Sequence, residues 1–385
     1  MFRILIIFSI LFSSLSCSSS QVSNRYNQPV LVAVDSTNNR LFILEKEGRL
    51  FALSASSRST LVNSPLVNKH RNETIYDLLP SVPTHVAVVT VGGTSRLFIS
   101  GLLANDDGDL VSNRILVLDF DGTTITEASF SPIIVGAGET NVLGGLEADN
   151  TNLRVYVTDT TGEDLYFFNA EDGTEDNTSI AILGAPNEMS LNGNRLYVAN
   201  SSTDAAEQLI TVVNVVSFAT STIDLDVPTD DISVITNSNL DEDNNKVMLV
   251  KQSNLQRVLV HKVAATFDSS TAIPVPESNN TADDGEINST NSISSAIGSV
   301  LVTKTSDGTL YGYVPQSDGY VSLLTIQADL TTFVADELFT SAEAFQNIDV
   351  YTDGSGNGDT IYTPASATGD LGYSKVGNDS ISIQF

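Results

Sequence analysis

The sequence contains few of the residues on which many enzymes and extracellular domains depend. Its 385 residues include one cysteine, Cys17, three histidines and no tryptophan. One cysteine cannot form an internal disulfide, so the folded part must rely on the size of its core for stability. The histidines, His70, His85 and His261, show no zinc-ligand spacing such as His-x-x-x-His. The sequence therefore gives no support for a cysteine nucleophile or for a Ser-His-Asp hydrolase.

Basic residues are also scarce. The chain has 18 Lys and Arg against 47 Asp and Glu, which gives a formal net charge of −29 at neutral pH. Such an excess of negative charge argues against nucleic-acid binding and against adhesion of the folded domain to anionic lipid headgroups. It is typical of a well-solvated extracytoplasmic protein or of a protein that binds cations.

Long apolar runs are limited to the start of the chain. Residues 4–12 form an apolar stretch after Met1-Phe2-Arg3, and small residues lead from it to Cys17. The stretch is too short to span a bilayer, and this order of basic, apolar and small residues is that of an export signal. We therefore expect residues 1–16 to be a signal peptide.

Cys17 stands where bacterial lipoprotein signals place the residue that becomes acylated, and the segment resembles such a signal. It departs from the pattern at Ser14, where these signals favour leucine, and Leu15 follows one step later. The resemblance implies lipid attachment at Cys17, a tether over residues 17–28, and a place in the cell envelope. Ser18 after the cysteine favours the outer membrane by analogy with enteric bacteria. The alternative is an ordinary secretory signal and a periplasmic or secreted protein.

A short strand pattern recurs along the rest of the chain. It consists of a turn residue, usually a basic residue, and an apolar–aromatic–apolar core. Its central residues are Phe42, Phe98, Tyr156, Tyr197, Met248, Tyr311 and Tyr362. Repeats of about 40–60 residues built of short strands indicate a β-propeller. We predict an all-β, seven-bladed β-propeller of four-stranded antiparallel blades over residues 29–385, closed blade against blade.

Residues 195–200, which read Arg-Leu-Tyr-Val-Ala-Asn, resemble the strand signature of the YVTN and NHL-type repeat propellers. In those families some members are lactonases or other hydrolases, others are cell-envelope proteins, and many are binding platforms. The catalytic residues of the lactonase-type members match no position of this chain, so no catalytic residue is predicted. The basic residues that open five of the signatures are interpreted as structural.

Two places are candidate sites. The mouth of a central channel would be lined by polar residues near the first strands of six of the seven blades, namely Asp35, His85, Glu147, Glu188, Asn237 and Asp349. Residues 353–359, Asp-Gly-Ser-Gly-Asn-Gly-Asp, place oxygen-bearing side chains at alternate positions, as calcium loops do. Pro364 stands where the closing acid of such a loop would be, and a plain glycine-rich hairpin is the alternative.

From the sequence we expect a protein or ligand binding platform of the cell envelope, with an envelope protein or a small ligand as its partner. No cofactor is expected for the platform. The first alternative is a lactonase or hydrolase-type enzyme with a channel-mouth site, for which calcium is a candidate cofactor. The second is a structural or adhesive surface protein, which an exposed apolar patch on one face would favour.

Overall fold

The computed structural model describes residues 29–46, 49–61, 80, 83–105, 107, 109–176, 179–225, 227–236, 246–252, 257–264, 266–272, 286–287, 299–315, 321–326, 333–337, 347–365, 370–378 and 382–384. Within them all regular structure is β-strand. No helix of this described part is long and apolar enough to cross a membrane. Cys17, His70 and Asn237 lie outside the described residues.

The strands form seven antiparallel sheets that follow one another along the chain, together with a small two-stranded ribbon. The first three sheets contain β1 (Pro29–Asp35), β2 (Arg40–Glu45) and β3 (Leu50–Ser54); β4 (Pro83–Val91), β5 (Thr94–Gly101), β8 (Arg114–Phe120), β9 (Ile125–Glu127) and β10 (Ile133–Ile134); and β11 (Leu143–Asp149), β12 (Arg154–Asp159), β13 (Asp164–Asn169) and β14 (Ile180–Ala181). The ribbon, β6 (Leu103–Ala104) and β7 (Leu110–Val111), interrupts the second sheet between β5 and β8.

The remaining four sheets continue the pattern. They contain β15 (Pro186–Asn192), β16 (Arg195–Asn200), β17 (Leu209–Asn214) and β18 (Thr220–Asp224); β19 (Thr229–Thr236), β20 (Lys246–Gln252), β21 (Arg257–Val263), β22 (Ser270–Ala272) and β23 (Glu286–Ile287); β24 (Leu301–Lys304), β25 (Leu310–Pro315), β26 (Val321–Ile326) and β27 (Phe333–Glu337); and β28 (Asp349–Thr352), β29 (Gly358–Ala365), β30 (Asp370–Lys375) and β31 (Ser382–Gln384). Each predicted signature is the second strand of its sheet.

The core lies between sheets, as the blades of a propeller require. Seven apolar clusters each join two neighbouring sheets, and the last joins the seventh sheet to the first. Second and third strands are apolar on both faces because a neighbour covers each face. The predicted all-β propeller is confirmed, and the seven sheets are consistent with seven blades.

Side chains close the ring between the last blade and the first. The backbone N–H groups of Val32 and Val34 donate to Asn347 Oδ1 and Asp349 Oδ2, both at 2.8 Å, and the Tyr362 hydroxyl donates to the Ala55 carbonyl. In the part of the chain that the structure describes, no strand is shared across this junction. The closure therefore depends on contact between blades, as predicted.

The basic residues of the signatures join adjacent blades. Arg154 pairs with Asp176 of its own blade and also donates to the Val215 carbonyl of the next blade, at 2.9 Å. Its guanidinium lies over the ring of Phe218, and that of Arg195 lies over Phe267 of the following blade, 4.4 Å from the ring centroid. The predicted structural role is confirmed, and its partners include the neighbouring blade as well as acidic turn residues.

Candidate functional site

The first strands of five blades begin with a β-bulge. The pairing register with the second strand shifts by one residue within the first residues of β1, β4, β11, β15 and β19. A bulge turns the side chains beside it away from the regular alternation of the strand. We call the face of the ring at which the first strands begin the strand-start face.

A cavity of about 510 Å³ lies among these bulged strand ends. First strands of all seven blades line it, and Lys251 at the end of β20 adds one basic side chain. Its acidic lining residues are Glu147, Glu188, Asp230, Asp231 and Asp349, and His85 also lines it. Four of these lining residues were predicted from the sequence: His85, Glu147, Glu188 and Asp349.

Asp35 does not line the cavity, which corrects its predicted position. It is the last residue of β1, at the other end of the strand, where its carboxylate accepts hydrogen bonds from Thr90 and Ser95 of the second blade. Asp35 therefore joins two blades. Asp231, which was not among the predicted lining residues, lines the cavity just after the bulge of β19.

His85 and Glu188 form an ion pair across the width of one blade. His85 Nε2 of the second blade lies 3.1 Å from Glu188 Oε1 of the fourth. Between them the third blade presents Gly145, and a Cβ there would lie 2.8 Å from Glu188 Oε2. The missing side chain leaves the space that the pair occupies. A glycine pair inside a predicted strand, Gly144-Gly145, is the sequence signal for this close approach.

The imidazole of His85 is held from both ends. Its Nδ1 lies 3.0 Å from the Ser100 hydroxyl, which is also 2.8 Å from the Thr84 hydroxyl. Ser100, His85 and Glu188 thus have the connectivity of a Ser-His-acid triad. Ser100 is fully buried, however, so a substrate cannot reach its oxygen. The hydroxyl orients the ring.

The other acidic groups bridge neighbouring blades. First strands are sheet edges toward the channel, so their N–H groups need acceptors other than a paired strand. Asp231 Oδ2 accepts the Val300 N–H at 2.6 Å, and Glu147 Oε1 accepts the Leu191 N–H at 3.1 Å. Asp349 likewise accepts the bond that closes the ring. These three acids therefore have a structural role in addition to any role in ligand binding.

Burial makes these carboxyl groups poor anions. Desolvation raises the pKa of Glu147 to about 8, and it raises the pKa of Asp349 to about 6. The pKa of Asp231 is raised by desolvation and by the negative charge of Glu188. For His85, burial alone would lower the pKa, but the attraction of Glu188 and its hydrogen bond raise it overall. The cavity therefore holds protons near neutral pH that a cation could displace.

The calcium candidate forms the hairpin between β28 and β29. Asp353 Oδ1 accepts the N–H groups of Ser355 and Asn357, each at 2.9 Å, and these bonds lower the pKa of Asp353. Asp359 pairs with Lys375 at 2.6 Å. Within the described residues no group of three or more His, Cys, Asp or Glu is arranged to hold a metal ion. Calcium binding stays a prediction.

Several solved structures resemble the chain over most of its length. Hydrazine synthase of Kuenenia stuttgartiensis is 11% identical, and the match covers 94% of this chain and 99% of the hydrazine synthase chain, with a TM-score of 0.61. The WD40 repeats of RRP9 are 11% identical, cover 89% and 92%, and have a TM-score of 0.57. Virginiamycin B lyase from Staphylococcus aureus is 13% identical, covers 78% and 83%, and has a TM-score of 0.51.

No family model matches the chain. No curated protein matches it. At identities this low, likeness to solved structures concerns the fold alone. The sheets, the clusters between them and these structural likenesses together show that the chain has the β-propeller fold, a scaffold of both binding proteins and enzymes.

Proposed function

We propose that this protein is an exported, lipid-anchored binding platform of the cell envelope, and that its central cavity takes a small cationic ligand such as an amine. One observation carries the cavity assignment. Acidic side chains of the third, fourth, fifth and seventh blades converge on a cavity of about 510 Å³, a size suited to a small molecule. A cation placed there would gain charge-assisted hydrogen bonds from carboxylates that are already partly desolvated.

The protons held in the cavity give the proposal a distinctive pH dependence. Glu147 must lose its proton before it can pair with a cation, and its pKa is raised to about 8. Binding a cation would lower that pKa and release the proton. We therefore expect amine affinity to increase as the pH rises from 6 to 8.

Isothermal titration with putrescine, arginine methyl ester and choline tests the cavity. At least one amine should bind, and Glu188→Gln should weaken binding by about tenfold, since one charged contact is worth ~1.4 kcal/mol or more. Glu171→Gln is the matched control because Glu171 is exposed on a turn after β13, away from the cavity lining. Absence of binding by all three amines, or equal loss in both variants, would contradict the proposal.

The anchoring proposal is supported by the signal pattern before Cys17 and has its own test. Cells that express the full chain are fed an alkyne-labelled fatty acid, and membranes are separated from soluble fractions. The native protein should carry label and sediment with membranes, whereas Cys17→Ser should lack both properties. Ser20→Ala, three residues further on, should behave as the native chain. Label that persists in Cys17→Ser would rule out lipidation at this residue.

A hydrolase of the lactonase type is the second candidate. The favouring observation is the His85–Glu188 pair beside Glu147, whose raised pKa suits a general acid. The candidate requires turnover of aryl esters or lactones that Glu147→Gln slows at least tenfold, both with and without added calcium. Turnover that is equal in the native chain and Glu147→Gln would exclude this site.

A further inference from the structure

Exposed apolar side chains concentrate on one part of the strand-start face. Among the described residues, seven large apolar side chains are exposed. Five of these belong to connections or strand ends on the strand-start face of the second, third and fourth blades: Leu102, Leu110, Ile134, Val142 and Leu183. We call these five residues the apolar rim. Exposed apolar side chains that are grouped on one face of a protein mark interaction sites.

Hydrogen bonds hold the segments of the apolar rim against one another. The Ser112 hydroxyl donates to the Asn141 carbonyl at 2.6 Å, which brings the end of β7 against the residue before Val142. Thr160 then ties the next two segments together, because its N–H donates to the Val142 carbonyl and its hydroxyl donates to the Pro186 carbonyl. Segments that carry the rim therefore lie side by side from the ribbon to the fourth blade.

Acidic residues outnumber basic ones around the apolar rim. Arg114 pairs opposite Ile134, but it is only 9% exposed and its guanidinium donates to the Ala104 carbonyl at 3.4 Å. Five connecting segments carry or flank the rim, residues 102–113, 133–142, 160–163, 182–187 and 200–208, and none of them contains a Lys or Arg. The described residues of these segments include six acids: Asp107, Asp109, Glu139, Glu163, Asp204 and Glu207. A surface that combines apolar side chains with unbalanced acids is complementary to a partner that combines apolar side chains with basic ones.

We propose that the apolar rim binds a polypeptide segment of a partner protein in which lysine or arginine alternates with apolar residues. Charge disfavours two other occupants. A second copy of this chain would place the same acidic segments against one another, and an anionic lipid surface would be repelled in the same way. The inference goes beyond the cavity ligand and does not depend on it, since rim and cavity are lined by different residues.

A labelled peptide tests the proposal by fluorescence anisotropy. The probe is a short glycine-spaced peptide that alternates lysine with leucine or valine, and two control peptides replace the lysines by glutamate or the apolar residues by serine. The native protein should bind the probe at least tenfold more tightly than either control. Binding of the probe should be weaker in 0.3 M salt than at low salt, because salt screens exposed charges.

Matched protein variants assign the contact to the rim. Leu110→Ser with Leu183→Ser should weaken probe binding at least tenfold, since these side chains are 62% and 63% exposed. Leu61→Ser with Val216→Ser removes the two exposed apolar residues outside the rim and should change nothing. Circular dichroism checks that both variants keep the native fold, and amine titration of the cavity should be the same in both.

Three results would overturn the proposal. Equal affinity of the probe for the rim variant and its control variant would show that the apolar rim is not the contact. Equal affinity for the serine peptide would show that binding is electrostatic only. A native dimer in sedimentation experiments that dissociates in the rim variant would assign the surface to a second copy of the chain.

Discussion

Tyr156 and Tyr197 occupy the same position in neighbouring blades but meet different surroundings. The Tyr156 hydroxyl donates to Asp149 Oδ2 at 2.6 Å. The residue equivalent to Asp149 in the fourth blade is Asn192, and its Oδ1 already accepts from the Lys246 ammonium, at 2.7 Å, and from the Thr236 hydroxyl. The Tyr197 hydroxyl is buried and has no hydrogen-bond partner among the described residues.

This difference predicts different effects of the same substitution at the two positions. Tyr156→Phe should lower the free energy of unfolding by about 1–2 kcal/mol, because it removes a hydrogen bond to a carboxylate. Tyr197→Phe should leave it unchanged or raise it by up to about 1 kcal/mol, because it removes a buried hydroxyl that makes no bond. Urea denaturation of both variants measures the two values. Equal destabilisation would mean that the Tyr197 hydroxyl has a partner.

At the scale of a strand, the bulges decide which side chains reach the channel. β11 contributes no side chain at Gly145, and this gap lets His85 meet Glu188. The signature strands pair without a register shift with the third strands of the same blades, and their apolar pattern is recognisable in the sequence. The bulges were not visible, because a single extra residue does not disturb a hydrophobic pattern that short.

Gly145→Ala tests this role of the bulge. The added Cβ would lie 2.8 Å from Glu188 Oε2 and 3.0 Å from Glu188 Cα, and the backbone atom cannot move away as a side chain could. We expect a loss of about 1–3 kcal/mol in the free energy of unfolding and at least tenfold weaker amine binding. Gly354→Ala is the control, since nothing lies within 4 Å of the position its Cβ would take. Unchanged amine binding in Gly145→Ala would show that the His85–Glu188 pair is not part of the ligand site.

At the scale of the whole molecule, the cavity makes stability depend on pH. Glu147, with a pKa of about 8, and Asp349, with a pKa of about 6, bind their protons more tightly in the folded than in the unfolded chain. The folded state therefore holds more protons over this range, and its stability falls as the pH rises through these values. His85, whose pKa is also raised, contributes in the same direction.

We therefore expect the thermal midpoint to fall by a few degrees between pH 5 and pH 8. Glu147→Gln keeps the hydrogen-bonding shape of the protonated acid without titrating. It should therefore make the thermal midpoint depend less on pH, whereas Glu171→Gln should leave this pH dependence unchanged. Differential scanning calorimetry at several pH values measures both. A midpoint that is constant or rises over this range would mean that the cavity acids are ionised in the folded protein.

The sequence by itself determined the repeat, the all-β class and the position of every signature strand, because alternating apolar residues and turn residues act locally. It also indicated His85, Glu147, Glu188 and Asp349 as channel residues, because each lies in the first strand of its repeat. Only the tertiary structure decided that Asp35 joins two blades, that Asp231 lines the cavity, and that Ser100 orients His85. These facts depend on which blades become neighbours and on one-residue shifts in register, and both arise only when the ring closes and the buried edge groups must find acceptors.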